Sequence, residues 1–171
     1  MRVVVVNGRG GSGKTTFETM VKKIADARDL KVEICSTINY VKQVAKSLGW
    51  DGAKAPKDRK FLSDLKDALT QWNDIPYKKV GETIKEMEEK GMDVVFIDCR
   101  EPEEIARFVE DYNALTVIVQ RGEVVLLGNH ADDNVDNYQY DITIDNSRGL
   151  DELLQEATIF VETFVEEANE D

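Results

Sequence analysis

The sequence predicts an α/β fold in which a parallel sheet of five strands is covered by helices on both faces. Two observations carry this. Short β-branched runs alternate along the chain with longer segments whose apolar residues recur at helical spacing. The runs are also continuously apolar, as strands buried on both faces are. The length of 171 residues sets the scale, enough for one compact domain with a real core and too little for two.

Taken in order, the first run is VVVVN (3–7), followed by a helix carrying Phe17, Met20, Val21 and Ile24 at i, i+3, i+4, i+7. KVEICS (31–36) is the second strand. A helix then carries Val41, Val44, Ala45 and Leu48 and ends at Gly49, and the loop-like stretch GWDGAKAPKD (49–58) is a candidate hinge. Phe61, Leu65, Leu69 and Trp72 form a third helical stripe, and Val80, Ile84 and Met87 a fourth that stops at Gly91. DVVFID (93–98), LTVIVQ (115–120) and YDITID (140–145) are the remaining strands, with a helix through Ile105, Phe108, Val109 and Tyr112 between the first two. The last helix starts near Leu150, with Leu153, Leu154, Ala157, Val161 and Phe164 on its inner face. All these stripes are read as core. Right-handed crossovers between parallel strands place ligands beyond the strands' carboxyl ends. The single domain spans 1–171, with residues 37–91 as a mostly helical insertion suited to a second substrate and 122–139 as a short lid loop.

Composition narrows the function. A formal charge of -12 argues against a nucleic-acid polymer as partner, because tracking phosphates needs a basic face. The acidic runs, including the tail VEEANED, read as solvated surface. Only Met1 and Arg2 precede the first apolar run, and no stretch approaches the roughly 20 apolar residues that cross a bilayer. The expectation is a cytoplasmic protein with no membrane association. Cys35 and Cys99, each ending a strand-like segment, are read as reduced core thiols.

The segment NGRGGSGKTT (7–16) carries the chemistry. Gly8, Arg9, Gly10, Gly11, Ser12, Gly13, Lys14 and Thr15 satisfy G-x-x-x-x-G-K-[ST], with Thr16 next, between a strand and a helix as the mechanism requires. The glycines let backbone N–H groups close around phosphate oxygens, and the helix N-terminus adds its dipole. Lys14 is assigned to the β and γ phosphates and the Thr15 hydroxyl to Mg²⁺. The chain is therefore expected to be a P-loop NTPase. Asp98, closing the third strand, is assigned to Mg²⁺ through water, the competing reading being a helix cap before Glu101 and Pro102.

A phosphate loop does not choose among ATPases, GTPases and kinases, but the N-K-x-D signature of GTPases is missing. The arginines say more. Transfer to an acceptor that is already a phosphate needs cations that hold two anions together. Arg100 lies two residues past Asp98, Arg121 ends the fourth strand, and Arg59 opens the insertion helix RKFLSDLKD; Lys42 and Lys60 add charge nearby, with a surface cation as the competing reading for each of Arg100, Arg121 and Lys60.

The phosphate loop, STINYVKQVAKSLGW, DRKFLSDLKD, DCREPEEI and NHADDNVDNYQYDITIDN together resemble the deoxynucleoside monophosphate kinase family of phages and bacteria. More distantly they resemble animal-type phosphomevalonate kinases, within the adenylate-kinase-like superfamily. The resemblance implies a strand order of 2-3-1-4-5, ATP as donor and an acceptor site in the insertion. By position, Ser36 and Lys42 match the family's serine and lysine after strand two, Arg59 its insertion arginine, Asp98 and Arg100 its aspartate-x-arginine turn, and Arg121 an arginine that contacts ATP. Asn129, His130 and Asp132 resemble the short lid sequence, although Ala131 and Asp132 replace the usual serine-acidic pair. Asn146–Gly149 resembles the loop bordering the adenine, with Gly149 capping the final helix. For His130, a general acid competes with a loop or capping role.

The resulting expectation is an ATP- and Mg²⁺-dependent kinase of a nucleoside monophosphate, monomeric or a small homo-oligomer. Lys14, Arg59, Arg100 and Arg121 are its catalytic cations. The loop residues 8–16 and Arg121 hold the donor, Ser36, Lys42, Arg59 and Arg100 the acceptor. One alternative is another small acceptor, of phosphomevalonate, nucleoside or dephospho-coenzyme A type. An ATP-binding regulatory switch is the other. Trp50, Trp72 and Tyr77 are candidates for stacking on a base, with Trp72 read as core.

Overall fold

A computed structural model describes residues 1–122 and 135–166. The described strands are β1 (Arg2–Asn7), β2 (Val32–Ser36), β3 (Val94–Asp98), β4 (Leu115–Gln120) and β5 (Ile142–Asp145). They form one parallel sheet in the order β2-β3-β1-β4-β5, the expected topology. The described helices are α1 (Lys14–Asp26), α2 (Asn39–Ser47), α3 (Pro56–Asn73), α4 (Ile75–Glu89), α5 (Pro102–Tyr112) and α6 (Leu150–Phe160), which runs on as a wider π turn over Val161–Glu166.

The central strand explains the sheet's apolar composition. Side chains of successive strand residues point to opposite faces. Val4 and Val6 join Val94, Phe96, Val117 and Val119 against α1 and α6, while Val3 and Val5 join Val95 and Ile97 on the α4 and α5 side. Both faces are covered, so β1 has no polar position between Arg2 and Asn7. On the α1 side, Phe17 packs edge-on to Phe160 with ring centroids 5.5 Å apart, and Phe160 in turn contacts Phe96 at 5.8 Å. The helix that follows the phosphate loop is therefore fixed to the sheet by its first turn.

Two expectations about packing are corrected. The stripe Phe61, Leu65, Leu69, Trp72 is not core: α3 buries none of its residues, Phe61 is exposed, and Trp72 is 81% exposed. The reason is position, since α3 packs on α2 and α4 rather than on the sheet. A helical apolar period fixes a face but not what that face meets. Leu154 is likewise exposed, on a helix whose contact with the sheet is made by Leu153, Ala157 and Phe160. The fifth strand starts at Ile142 rather than Tyr140, because the Asp141 carboxylate turns back to accept hydrogen bonds from Thr116 N–H (2.8 Å) and its hydroxyl (2.7 Å). The stops at Gly49 and Gly91 hold, both glycines having the positive φ that ends a helix.

Among the described residues no helix is long and apolar enough to cross a membrane. Cys35 and Cys99 are buried and unbridged, as expected, and burial pushes the Cys35 thiol up to about 12.

Candidate active site

The register aligns the chemistry at one sheet edge. Val6 of β1 pairs with Asp98 of β3, and Asp98 pairs with Ser36 of β2, so the carboxyl ends of three strands lie in one row. The phosphate loop leaves β1 immediately above that row. Its shape depends on close packing at two glycines. A Cβ on Gly8 would lie 2.6 Å from both the Val119 carbonyl and Ser12 Oγ, and one on Gly13, at φ 94°, would lie 2.1 Å from Asn146 Nδ2. Only glycine fits either position. Asn146, almost fully buried after β5, donates from Nδ2 to the Ser12 carbonyl at 2.9 Å and from its backbone N–H to the Gln120 carbonyl at 2.7 Å. That segment is therefore a brace for the loop.

A cavity of about 410 Å³ opens over the loop. Residues 9–16 form its floor, Arg100 and Arg121 come from beyond β3 and β4, and Asn146, Gly149 and Leu150 form the far wall. Gly149 is the N-cap of α6, as expected. Arg9 ion-pairs with Asp136 at the cavity's rim. Thr15 and Thr16 stay exposed to the cavity.

Lys14 ion-pairs with Asp98, both side chains being largely buried. This places Asp98 on the phosphate loop rather than on the α5 N-terminus, whose N-cap is Glu101 without a side-chain cap. The sequence reading missed Glu18. One helical turn after Lys14, it lies on the inner face of α1, 1% exposed, with Oε1 lacking a hydrogen-bond partner among the described residues. Burial, and then the Asp98 charge, push its carboxyl up to about 8. Spacing i, i+4 from the loop lysine on a buried face was the available signal.

The acceptor-side residues are more dispersed. The Ser36 hydroxyl donates to the Asp98 carbonyl (3.3 Å) and accepts from Ile38 N–H (3.4 Å), which fixes the β2 turn beside Asp98. Lys42 is exposed on α2, and Arg59 is exposed on α3 and does not line the cavity over the loop. Lys60 is paired with Asp64 on the same helix. Tyr77 is no base-stacking surface: it is buried, stacked on Phe108 at 4.6 Å, and its hydroxyl donates to Asp111 at 2.6 Å. Trp50 donates its Nε1–H to the Ala53 carbonyl at 3.2 Å within the 49–58 loop. Asn129, His130 and Asp132, with most of the 122–139 segment, lie outside the described residues.

Several polar contacts tie the insertion to α5, Tyr77–Asp111 and Arg107–Asp74 among them, and one is an ion pair largely out of water. Lys66 of α3 pairs with Glu104 of α5 at 2.8 Å, with both side chains largely buried, and Glu104 also accepts from Cys99 Sγ at 3.4 Å.

No protein-family model matches the sequence, and no curated protein matches it. Solved structures do match in fold. A sugar kinase from Janibacter superposes with a TM-score of 0.56 at 12% identity, covering 97% of each chain. The APS kinase of Mycobacterium tuberculosis superposes with a TM-score of 0.53 at 16% identity, covering 95% of this chain and 97% of its own. At such identities the likeness is one of fold, and the chain has the α/β fold of P-loop kinases, with its five strands in the order 2-3-1-4-5.

Proposed function

We propose that the protein is an ATP-dependent phosphotransferase whose acceptor is a small phosphorylated molecule, a nucleoside monophosphate. The observation that carries the reading is the cavity itself, in which a complete phosphate loop shares one space with Arg100 and Arg121. A loop that only bound and released nucleotide would need no guanidinium groups from two further strand ends. Arginines facing the loop are what a transferring phosphoryl group between two anions requires.

The residues fit Mg-ATP. The donors are hard oxygens, the Thr15 hydroxyl and the Asp98 carboxylate, and the loop amides form a cradle that a Cβ at Gly8 or Gly13 would fill. Bound Mg²⁺ would neutralise charge on the β and γ phosphates. Lys14 would exchange Asp98 for the phosphates, leaving that carboxylate for the metal's water shell. Arg121 and Arg100 would hold the transferred group, and Ser36, Lys42 and Arg59 would receive the acceptor from the insertion side. Residues 37–91 are the acceptor region in this reading and 122–139 the lid.

Coupled measurement of ADP release over the ribo- and deoxyribonucleoside monophosphates tests the proposal. Acceptor-dependent turnover with at least one of them is expected. A panel with no such turnover would refute it.

Asp98 favours a second reading. A hydroxyl acceptor needs a base near the γ phosphate, and this carboxylate, paired with the loop's Lys14, is the one the fold brings there. Turnover with alcohols alone, in the same assay, would select it.

A further inference from the structure

Asn7, the residue between β1 and the phosphate loop, is fully buried and makes three side-chain hydrogen bonds to three separate segments. Its Oδ1 accepts from Gly8 N–H at 2.7 Å, and its Nδ2 donates to the Arg100 carbonyl at 3.3 Å and to Tyr140 Oη at 2.7 Å. Tyr140 Oη in turn donates to the Val135 carbonyl at 3.0 Å. We infer that Asn7 and Tyr140 are positioning residues for the nucleotide site, which set the first amide of the phosphate loop and the backbone of the Arg100 turn relative to each other. The inference rests on the nucleotide-binding reading above.

The polarity of the chain of bonds is what makes it directional. The two ends of an amide side chain look alike, so its orientation must follow from its neighbours. Val135 C=O can only accept, which commits the Tyr140 proton to it and leaves Tyr140 Oη as an acceptor towards Asn7. Arg100 C=O can only accept as well. Both demands fall on the Asn7 NH₂, so its carbonyl oxygen must face Gly8 N–H. Flipping the amide would set oxygen against the Arg100 carbonyl and nitrogen against the Gly8 N–H, on a side chain that is fully buried. The space beside Gly8 is narrow, since a Cβ there would lie 2.6 Å from both the Val119 carbonyl and Ser12 Oγ.

A second link closes the arrangement. The turn beginning at Val135 also carries Asp136, which pairs with Arg9 two residues into the loop. The loop's start is thereby held twice to one turn, by a half-buried hydroxyl and by an exposed ion pair. Asn7 is not itself part of the cavity lining, and it acts on the site through Gly8 and through the backbone of Arg100, which is.

Tyr140→Phe keeps the ring, including its packing on Tyr138, and removes only the hydroxyl. Asn7→Asp keeps size but cannot donate to Arg100 or Tyr140. ATP dissociation constants measured by equilibrium dialysis need no acceptor. The expected result is about fivefold weaker ATP binding for Tyr140→Phe and more than tenfold for Asn7→Asp. In acceptor assays Tyr140→Phe should raise the KM for ATP about as much while kcat stays within about twofold, because Asn7 still holds the Arg100 carbonyl. Asn7→Asp should lower kcat as well. A merely structural role would reduce the active fraction, lowering kcat and leaving KM and the dissociation constant unchanged; that result overturns the inference, as does wild-type affinity in Tyr140→Phe. Wild-type protein that binds no ATP overturns the functional reading and this inference together, whereas normal wild-type binding with unaffected variants overturns this inference alone.

Discussion

Replacing Glu18 by Gln should stabilise the protein, and by an amount that grows with pH. The side chain is 1% exposed, its Oε1 has no partner among the described residues, and the neighbouring charge is the Asp98 carboxylate, only partly offset by Lys14. Burial first and Asp98 second raise its carboxyl from 4.5 to about 8. A carboxyl whose folded value lies above its unfolded value favours the folded state below the unfolded value, and loses that contribution as pH rises. Between about 4.5 and about 8 the unfolded chain releases this proton while the folded chain keeps it. The loss runs at about 1.4 kcal/mol per pH unit, so the full window is worth on the order of 3–5 kcal/mol. Glutamine has no proton to release. Urea unfolding of both proteins at pH 5, 6, 7 and 8, without nucleotide and with a chelator, reads Glu18 together with the Asp98 carboxylate that interacts with it, the more distant titrations being common to the two proteins. The difference in unfolding free energy should climb steadily in favour of Glu18→Gln up to about pH 8 and then level off. A difference that stays flat from pH 5 to 8 would refute the reasoning, showing that Glu18 ionises in the folded protein at its ordinary value.

Three further outcomes test the packing of the site and its supports. Gly13→Ala places a methyl 2.1 Å from Asn146 Nδ2 at φ 94°, so it should cost about 2–4 kcal/mol in denaturant unfolding and abolish ATP binding measured by dialysis. Lys66→Ala leaves the largely buried Glu104 carboxylate unpaired and should cost about 2 kcal/mol, whereas Lys66→Met with Glu104→Gln should recover most of it, as a double-mutant cycle in urea would show. Trp72→Ala should change stability by less than about 0.5 kcal/mol in thermal or urea unfolding, because the ring is 81% exposed; a core tryptophan would cost about 3–5 kcal/mol.

Most of the sheet was legible before any coordinates because its information is local. VVVVN and DVVFID are short and rich in β-branched residues, which marks them as strands buried on both faces, and G-x-x-x-x-G-K-[ST] between such a strand and an amphipathic helix marks a phosphate loop. The errors are of another kind. Trp72 looked like core because it continues a helical stripe, but the stripe lies against α2 and α4 and leaves that ring in water. Tyr77 looked like a stacking surface and is instead locked between Phe108 and Arg107, whose guanidinium lies 3.6 Å from its ring centroid. Periodicity records which side chains share a face, and nothing in it records the neighbour.

The sequence by itself determined the elements, the phosphate loop and the edge of the sheet at which it sits, since each follows from spacing within a few residues. Only the tertiary structure decided the company around that loop. It brought Arg100 and Arg121 to one cavity and left Arg59 outside its lining. It buried Glu18 beside Asp98, and joined Asn7 to Tyr140 across 133 residues of chain. The physical reason is that a buried polar group must find its partner in space, and where that partner comes from is set by how the strands are ordered rather than by what stands next to it in the chain.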